Sequence, residues 1–322
     1  MNKRVLIVGA TGCIGHYLVE ALAREPEYEL FLLVRNPEKL CPSVSSPSMH
    51  LIPGDLRNIN RYRNFLKTIH VAILAAAAWG GAEETYTINV TKTIELIRLL
   101  NEDMCEQIIY FSTASILDRT NQLLPEAKDL GTDYIRSKYE AFEKLTQLPI
   151  APKITALFPT LVFGGDGNKP YSHLSAGLPE IVRWIDLIRW FKADGSFHFI
   201  HARDIAQIVR RLVMHPPMMS KAIAEPIPHR FVLGNPRLTV NETIENACEY
   251  LQKRIYFRIK LSPWLTNFFI RIFRIYMDDW SRFSLKYRHF TYLHPVNPRT
   301  FGSVGYCATL ADIFKDAGIL PK

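Results

Sequence analysis

Cysteine is scarce in this 322-residue chain: there are five, Cys13, Cys41, Cys105, Cys248 and Cys307, and no two stand at a metal-ligand spacing. An odd, scattered set excludes a disulfide framework and reads as reduced thiols in a reducing compartment. The ten histidines form no ligand cluster either, so no metal is expected. Long apolar runs are missing too. The start, Met1-Asn2-Lys3-Arg4 followed by apolar residues, has the outline of a secretion signal, but Gly9, Gly12 and Gly15 interrupt it and a helical pattern follows. The longest later apolar stretch, 71–79, is far below the ~20 residues a bilayer crossing requires. The expectation is a cytoplasmic protein, soluble or held at a membrane surface. Internal repeats, low-complexity tracts and a nucleic-acid reading motif are also absent.

Negative charge is in short supply, with 31 Asp and Glu against 39 Lys and Arg, a net charge of +8. That balance favours anionic partners: phosphorylated cofactors, acidic substrates or an anionic lipid surface. Without a reading motif, nucleic acid is not expected among them. Apolar residues at 48% and charged residues at 22% are ordinary for a globular protein with an ample core.

What is present in the first half is alternation. Short β-rich runs at 5–8, 30–34, 50–52, 70–74, 107–111 and 154–157 are separated by helical patterns at 14–24, 88–100 and 134–145. Strands alternating with helices predict an α/β, doubly wound parallel sheet of Rossmann type. A Ser/Pro-rich stretch at 41–48 reads as a surface loop. After Gly164-Gly165-Asp166-Gly167 the helical patterns lengthen (180–191, 205–214, 240–251), with proline-rich connectors at 215–217 and 225–228. The expected division is a nucleotide-binding domain over 1–165 and a smaller helix-rich, substrate-binding or lid region over 166–322, with some late segments returning to the sheet.

Gly9-Ala10-Thr11-Gly12-Cys13-Ile14-Gly15 directly follows the first strand and opens a helix. Such a turn lets backbone N–H groups and a helix N-terminus meet a pyrophosphate, so Gly9, Thr11, Gly12, Cys13, Ile14 and Gly15 are candidate dinucleotide contacts. The second strand ends in Leu33-Val34-Arg35-Asn36, with no carboxylate to accept from a ribose 2′-hydroxyl. Arg35 there favours a 2′-phosphate, hence NADP, with NAD as the alternative. Asp55, followed by Leu56, ends the third strand, where a carboxylate suits the adenine amino group. Ala75, Ala76 and Ala77 after the fourth strand are small enough for a cofactor to lie against the backbone, and they suit plain helix–sheet packing equally.

Tyr134-Ile135-Arg136-Ser137-Lys138 places a phenol and an ammonium on one helix face. A free phenol, with a pKa of about 10, exchanges protons poorly near neutrality, and a neighbouring ammonium is expected to lower it. Ser112 and Thr113 stand at the carboxyl end of the fifth strand, where a hydroxyl can hold a substrate oxygen. The expected catalytic set is Thr113, Tyr134 and Lys138.

These motifs give the first ~240 residues a resemblance to the extended short-chain dehydrogenase/reductase family, of NAD-dependent epimerase/dehydratase type. By resemblance, Gly9, Gly12 and Gly15 hold the pyrophosphate, Asp55 contacts adenine, and Thr113, Tyr134 and Lys138 are the catalytic Ser/Thr, Tyr and Lys. Lys138 also holds a nicotinamide ribose hydroxyl. Asn89, in Asn89-Val90-Thr91-Lys92-Thr93, matches the family's asparagine on the helix before the catalytic strand. Pro159, Thr160 and Val162, in Pro159-Thr160-Leu161-Val162-Phe163-Gly164, match the segment that approaches the nicotinamide. Phe158 stands where the family often has Arg, and Leu117-Asp118 where it usually has Tyr-Gly; both changes point away from sugar-nucleotide chemistry. The expected activity is hydride transfer between NADPH and a carbonyl or alcohol carbon of a small-molecule substrate. The alternatives are a nucleotide-sugar epimerase or dehydratase, and a non-catalytic NADP-binding scaffold at a membrane surface.

One segment fits none of this. Trp264, Leu265, Phe268, Phe269, Ile272, Phe273 and Tyr276 fall at helical spacing with Arg271 and Arg274 interleaved, and Trp280, Arg282, Lys286, Tyr287 and Arg288 continue the pattern. The stretch 264–290 suits core packing, a homodimer interface, a lid over an apolar pocket, or peripheral contact with an anionic membrane.

Overall fold

Val5, Leu6, Ile7 and Val8 follow one another with no polar residue between them, as expected of a strand covered on both sides. The computed structural model describes residues 2–41, 47–217, 227–272, 274 and 276–321, and in it this run lies near the middle of a seven-stranded parallel sheet. Six strands come from the first half: β1 (Lys3–Val8), β2 (Tyr28–Val34), β3 (Met49–Pro53), β4 (Val71–Leu74), β5 (Gln107–Phe111) and β6 (Ile154–Pro159). The seventh, His229–Leu233, returns from the second half to pair with β6. The order across the sheet is His229–Leu233, β6, β5, β4, β1, β2, β3. Val8 is in register with Leu33 on one side and Leu74 on the other.

The two-residue period of the strands divides the core. Leu6 and Val8 join Phe31, Tyr110, Phe142 and Phe158 in one buried cluster, while Val5 and Ile7 join Leu30, Leu32, Ile109 and Leu157 in another. The first face is covered by the helices Thr93–Leu99 and Asp133–Leu145, the second by Cys13–Leu22 and Ala202–Met214. The architecture is the Rossmann-type α/β sheet that the strand–helix alternation predicts. A third cluster, with Phe199, Leu178, Ile244, Ile313 and Phe314, is built almost entirely from the second half.

Two elements differ from expectation. The helix expected at 180–191 is His173–Arg183, followed by the short turn Ile185–Ile188. Pro179 looks like a helix start, but the Oγ of Ser172 accepts from the Ser175 N–H and caps the helix a turn and a half earlier. The pattern at 88–100 begins in a π-helical stretch, Thr87–Lys92, that continues Gly81–Tyr86 and runs on into Thr93–Leu99. Residues 42–46 of the Ser/Pro-rich stretch and 225–226 of the second proline-rich connector lie outside the described residues, as does Phe273.

Candidate active site

Between β1 and β4 the strand order reverses direction, and a crevice opens beyond the carboxyl ends of the strands. The glycine turn sits there, and its three glycines answer three different demands. Gly9 has φ +94, and a Cβ on it would come within 2.5 Å of the Ala76 nitrogen and 2.7 Å of the Ala75 carbonyl carbon. The close passage of residues 75–76 therefore requires it. A Cβ on Gly15 would overlap the Gly9 oxygen, so the packing of helix Cys13–Leu22 on the turn requires that glycine. A Cβ on Gly12 would meet only the Gly9 oxygen at 3.4 Å, an ordinary contact. The chain's own packing makes no demand for glycine at that point, where the backbone caps the helix with no side-chain cap and no acidic residue in the first turn. The first-turn amides are thus free of internal acidic partners, as an anion site requires.

Thr11, Cys13 and Ile14 are half-buried around this turn. Burial pushes the Cys13 thiol up to about 12, so it is a packing group against Gly164 and not a nucleophile at neutral pH. His16, which the sequence reading missed, is buried with Nδ1 3.0 Å from the Gly12 oxygen and Nε2 3.1 Å from the Lys39 oxygen. It ties the glycine turn to the turn after β2. Its only signal in the sequence is a polar ring on the helix face that should be apolar.

Arg35 is exposed at the carboxyl end of β2 and makes no ion pair among the described residues. Asp55, one strand over, accepts from the Arg57 backbone N–H (2.8 Å), Nε (3.0 Å) and Nη2 (2.6 Å). Those side-chain hydrogen bonds hold its carboxyl below the usual range against the opposing effect of burial, helped by the Arg57 and Arg35 charges. The corner therefore gathers two guanidinium groups and one engaged carboxylate. Leu56 turns inward and packs in the core.

At the carboxyl end of β5, Ser112 is buried, and its Oγ has no hydrogen-bond partner among the described residues. The Oγ1 of Thr113 accepts from the Ser115 N–H at 3.4 Å and opens the turn Ala114–Ile116. Helix Asp133–Leu145 is capped by the Oγ1 of Thr132, which places Tyr134 in its first turn and Lys138 one turn on. Lys138 is 2% exposed; its Nζ donates to the Phe111 oxygen at 2.8 Å and stands 5.9 Å from the centre of the Tyr134 ring. Burial pushes this ammonium down to about 7 and the Tyr134 phenol above its ordinary value. The expected lowering of Tyr134 by its neighbour is thus outweighed. Desolvation penalises both charged forms, and the lysine proton is directed at a carbonyl.

Asn89 is fully buried inside the π-helical stretch. Its Oδ1 accepts from Ala78 N–H at 2.8 Å, and its Nδ2 donates to the Ala78 oxygen (3.1 Å) and the Ser137 Oγ (3.0 Å). It therefore pins the run after β4, with Ala75, Ala76 and Ala77, to the helix that carries Tyr134 and Lys138. Trp79, at the end of that run, was also missed. Its indole is stacked on the Tyr134 ring, with centroids 3.7 Å apart and planes 11° from parallel, and its other neighbour is the His173 ring at 4.8 Å. It is nevertheless 57% exposed, which makes it the outer wall of the site.

β6 ends in Pro159, and the Thr160 N–H and Oγ1 both donate to the Leu233 oxygen, at 3.0 and 2.8 Å. Val162 is half-buried in the next segment, before Gly164 and Gly165, both with positive φ. Phe158 points into the core, edge-on to Phe142 with centroids 5.1 Å apart. The carboxyl ends of β1, β4, β5 and β6 so carry the glycine turn, the alanine run, the hydroxyl–phenol–ammonium set and the Pro159 segment. Arg35 and Asp55 stand apart on β2 and β3, along the same sheet edge.

A dinucleotide fits these residues. Gly12 is a glycine that only an approaching group demands, and the orphaned Ser112 Oγ is a polar atom awaiting a partner. Comparison with known proteins agrees. The family model for the NAD dependent epimerase/dehydratase family matches residues 5–228. An isoflavone reductase homologue of Nicotiana tabacum, A622, is 34% identical over 101 residues, covering 29% of this chain and 31% of that protein. The chain thus spans about a third of that curated relative. Among solved structures, gox2253 superposes over 99% of this chain and 100% of its own with a TM-score of 0.69 at 18% identity. The dTDP-glucose 4,6-dehydratase DesIV of Streptomyces venezuelae, solved with NAD bound, superposes over 80% of this chain and 84% of its own, with a TM-score of 0.58 at 18% identity. The UDP-N-acetylglucosamine 4-epimerase of Methanobrevibacter ruminantium gives 0.57 at 17% identity over 81% and 86%. At these identities the superpositions speak for the fold. The family match, over more than two thirds of the chain, speaks for descent: the protein belongs to the NAD-dependent epimerase/dehydratase family.

Proposed function

We propose that the enzyme is an NADP-dependent reductase or dehydrogenase acting on a carbonyl or alcohol carbon of a small molecule. The observation that carries this reading is Arg35: an exposed guanidinium without an ion pair among the described residues, at the carboxyl end of β2, where an NAD enzyme would offer a carboxylate to a ribose 2′-hydroxyl. Arg57, already turned toward that corner by Asp55, adds a second cation. A planar guanidinium suits a phosphate dianion better than a hydroxyl pair.

The nicotinamide, when bound, supplies or accepts the hydride. The chain's own residues hold the rest. The Gly12–Gly15 amides would hold the pyrophosphate, and Ser112 and Lys138 would hold the ribose and nicotinamide portion. Thr113 donates a hydrogen bond to the substrate oxygen, and Tyr134 moves the proton at that oxygen. Lys138, anchored on the Phe111 carbonyl with its Nζ 5.9 Å from the centre of the Tyr134 ring, would favour the phenolate whenever it carries its proton. Trp79 and His173 form the substrate-side wall, with the 166–322 region completing it. The name of the A622 relative, a reductase homologue, supports the same reaction class.

The test is NADPH consumption against a panel of aldehydes and ketones, with Tyr134→Phe beside the wild type. Turnover that falls about 10²–10⁴-fold in the variant, at unchanged NADPH affinity, supports the reading. Tightly held NAD that co-purifies, with no net consumption on any carbonyl, would move the assignment to an epimerase or dehydratase.

A further inference from the structure

Between Leu251 and Met277 the chain has six basic residues, Lys253, Arg254, Arg258, Lys260, Arg271 and Arg274, and no Asp or Glu. Arg258 and Lys253 pair with Glu245 and Asp186 from neighbouring elements. Arg254, Lys260, Arg271 and Arg274 make no ion pair among the described residues, although Asp278 and Asp279 follow directly in the chain.

The same stretch leaves large apolar groups in water. Trp264 and Tyr256 are each 72% exposed, Phe257 62% and Ile272 56%. On helix Pro263–Ile272, the side chains of Trp264, Phe268 and Ile272 recur every four residues and so form one stripe, with the Trp264 and Phe268 rings stacked 5.6 Å apart. Arg271 is exposed beside that stripe, while Thr266 and Ile270 on the opposite side are half-buried. The helix thus turns the Trp264–Phe268–Ile272 stripe outward, the reverse of what an apolar stripe does on a core helix. The remainder of the aromatic-basic stretch behaves differently. Trp280, Phe283 and Tyr287 pack against the main core, and the Arg119 guanidinium donates to the Tyr287 and His289 oxygens.

We propose that Trp264, Phe268 and Ile272, with Lys260, Arg271 and Arg274, seat the enzyme on a bilayer rich in anionic phospholipid. The helix would lie in the interfacial plane; at ten residues it is too short to cross. Charge complementarity selects this occupant. Cations with no ion pair among the described residues, around exposed aromatic rings, match a surface of anionic headgroups, where Trp and Tyr rings sit at headgroup depth and Lys and Arg need no shaped partner.

The full-length protein, sedimented with vesicles of phosphatidylcholine alone or mixed with phosphatidylglycerol, tests this. Binding to the mixed vesicles is expected at low salt, weakened by added salt and absent on phosphatidylcholine alone. Trp264→Ser/Phe268→Ser and Arg271→Glu/Arg274→Glu should each weaken it by roughly tenfold or more, with circular dichroism and melting temperature unchanged. Wild-type protein left in the supernatant with mixed vesicles at low salt would overturn the proposal. So would sedimentation indifferent to both variants. A wild-type dimer that Trp264→Ser converts to monomer would overturn it too, by assigning the face to a second copy of the chain.

Discussion

Lys138 shows how far a motif at the level of single residues can be read from sequence. Its spacing from Tyr134 is legible as one helix face, but its environment is not. Burial pushes the ammonium down to about 7, even though its Nζ donates to the Phe111 carbonyl and stands 5.2 Å from the centre of the Tyr110 ring, both from β5. A lysine whose folded pKa lies below its unfolded value of about 10.4 binds fewer protons when folded. Stability therefore rises with pH between about 7 and 10, by up to ~1.4 kcal/mol per pH unit from this group. Lys138→Met should remove that contribution: comparing urea midpoints at pH 7 and pH 9 should show a gain in the wild type that the variant lacks. Equal gains in both proteins would mean Lys138 is not desolvated. Trp79 marks the opposite limit. Its stacking on Tyr134 depends on where Asn89 pins residue 78, and nothing in local sequence ties position 79 to position 134.

At the scale of elements, the six strands of the first half and the helices around the glycine turn follow from periodicity and turn chemistry, because each is locally consistent. The π-helical stretch around Asn89 and the early start of His173–Arg183 are not, since the first follows from a side chain reaching across to Ala78 and Ser137, and the second from a serine cap ahead of a proline. The glycine turn gives a sharp contrast for mutagenesis. Gly12→Ala meets only an ordinary contact and a backbone with φ −82, so its melting temperature should stay within a few degrees of wild type while NADPH affinity falls at least tenfold. Gly15→Ala drives a methyl into the Gly9 oxygen and should fold poorly or not at all. Calorimetry with and without nucleotide distinguishes the two, and a Gly12→Ala protein that binds NADPH normally would remove the ligand as the reason for that glycine.

At the scale of the whole molecule, the α/β class was legible, and so was the gathering of the glycine turn, Arg35 and the Tyr134–Lys138 pair along the carboxyl edge of the sheet, because each lies within a contiguous run. The closure of the C-terminal segment was not, because it rests on contacts about a hundred residues apart. Asp204 is fully buried and accepts from the Tyr306 and Cys307 backbone N–H groups at 2.5 and 3.1 Å, and the His201 Nε2 lies 3.0 Å from the Asp316 Oδ2. The Arg203 N–H donates to the His201 Nδ1, so Nε2 carries the proton and donates to Asp316. Asp204→Ala strands two amides. It should lower stability by ~2–4 kcal/mol and expose residues 303–321 to limited proteolysis before the sheet is touched. An undiminished melting temperature would show that the segment is held by its apolar contacts alone.

The central claim is that this family member selects NADP through the corner at the ends of β2 and β3. Titration of wild type and Arg35→Ala with NADPH and NADH, followed by nicotinamide fluorescence, tests it most directly. The wild type should bind NADPH more tightly, and the variant should lose about 10–100-fold of that affinity while its NADH affinity barely changes. A wild type that prefers NADH, or a variant that keeps the full NADPH preference, would contradict the account.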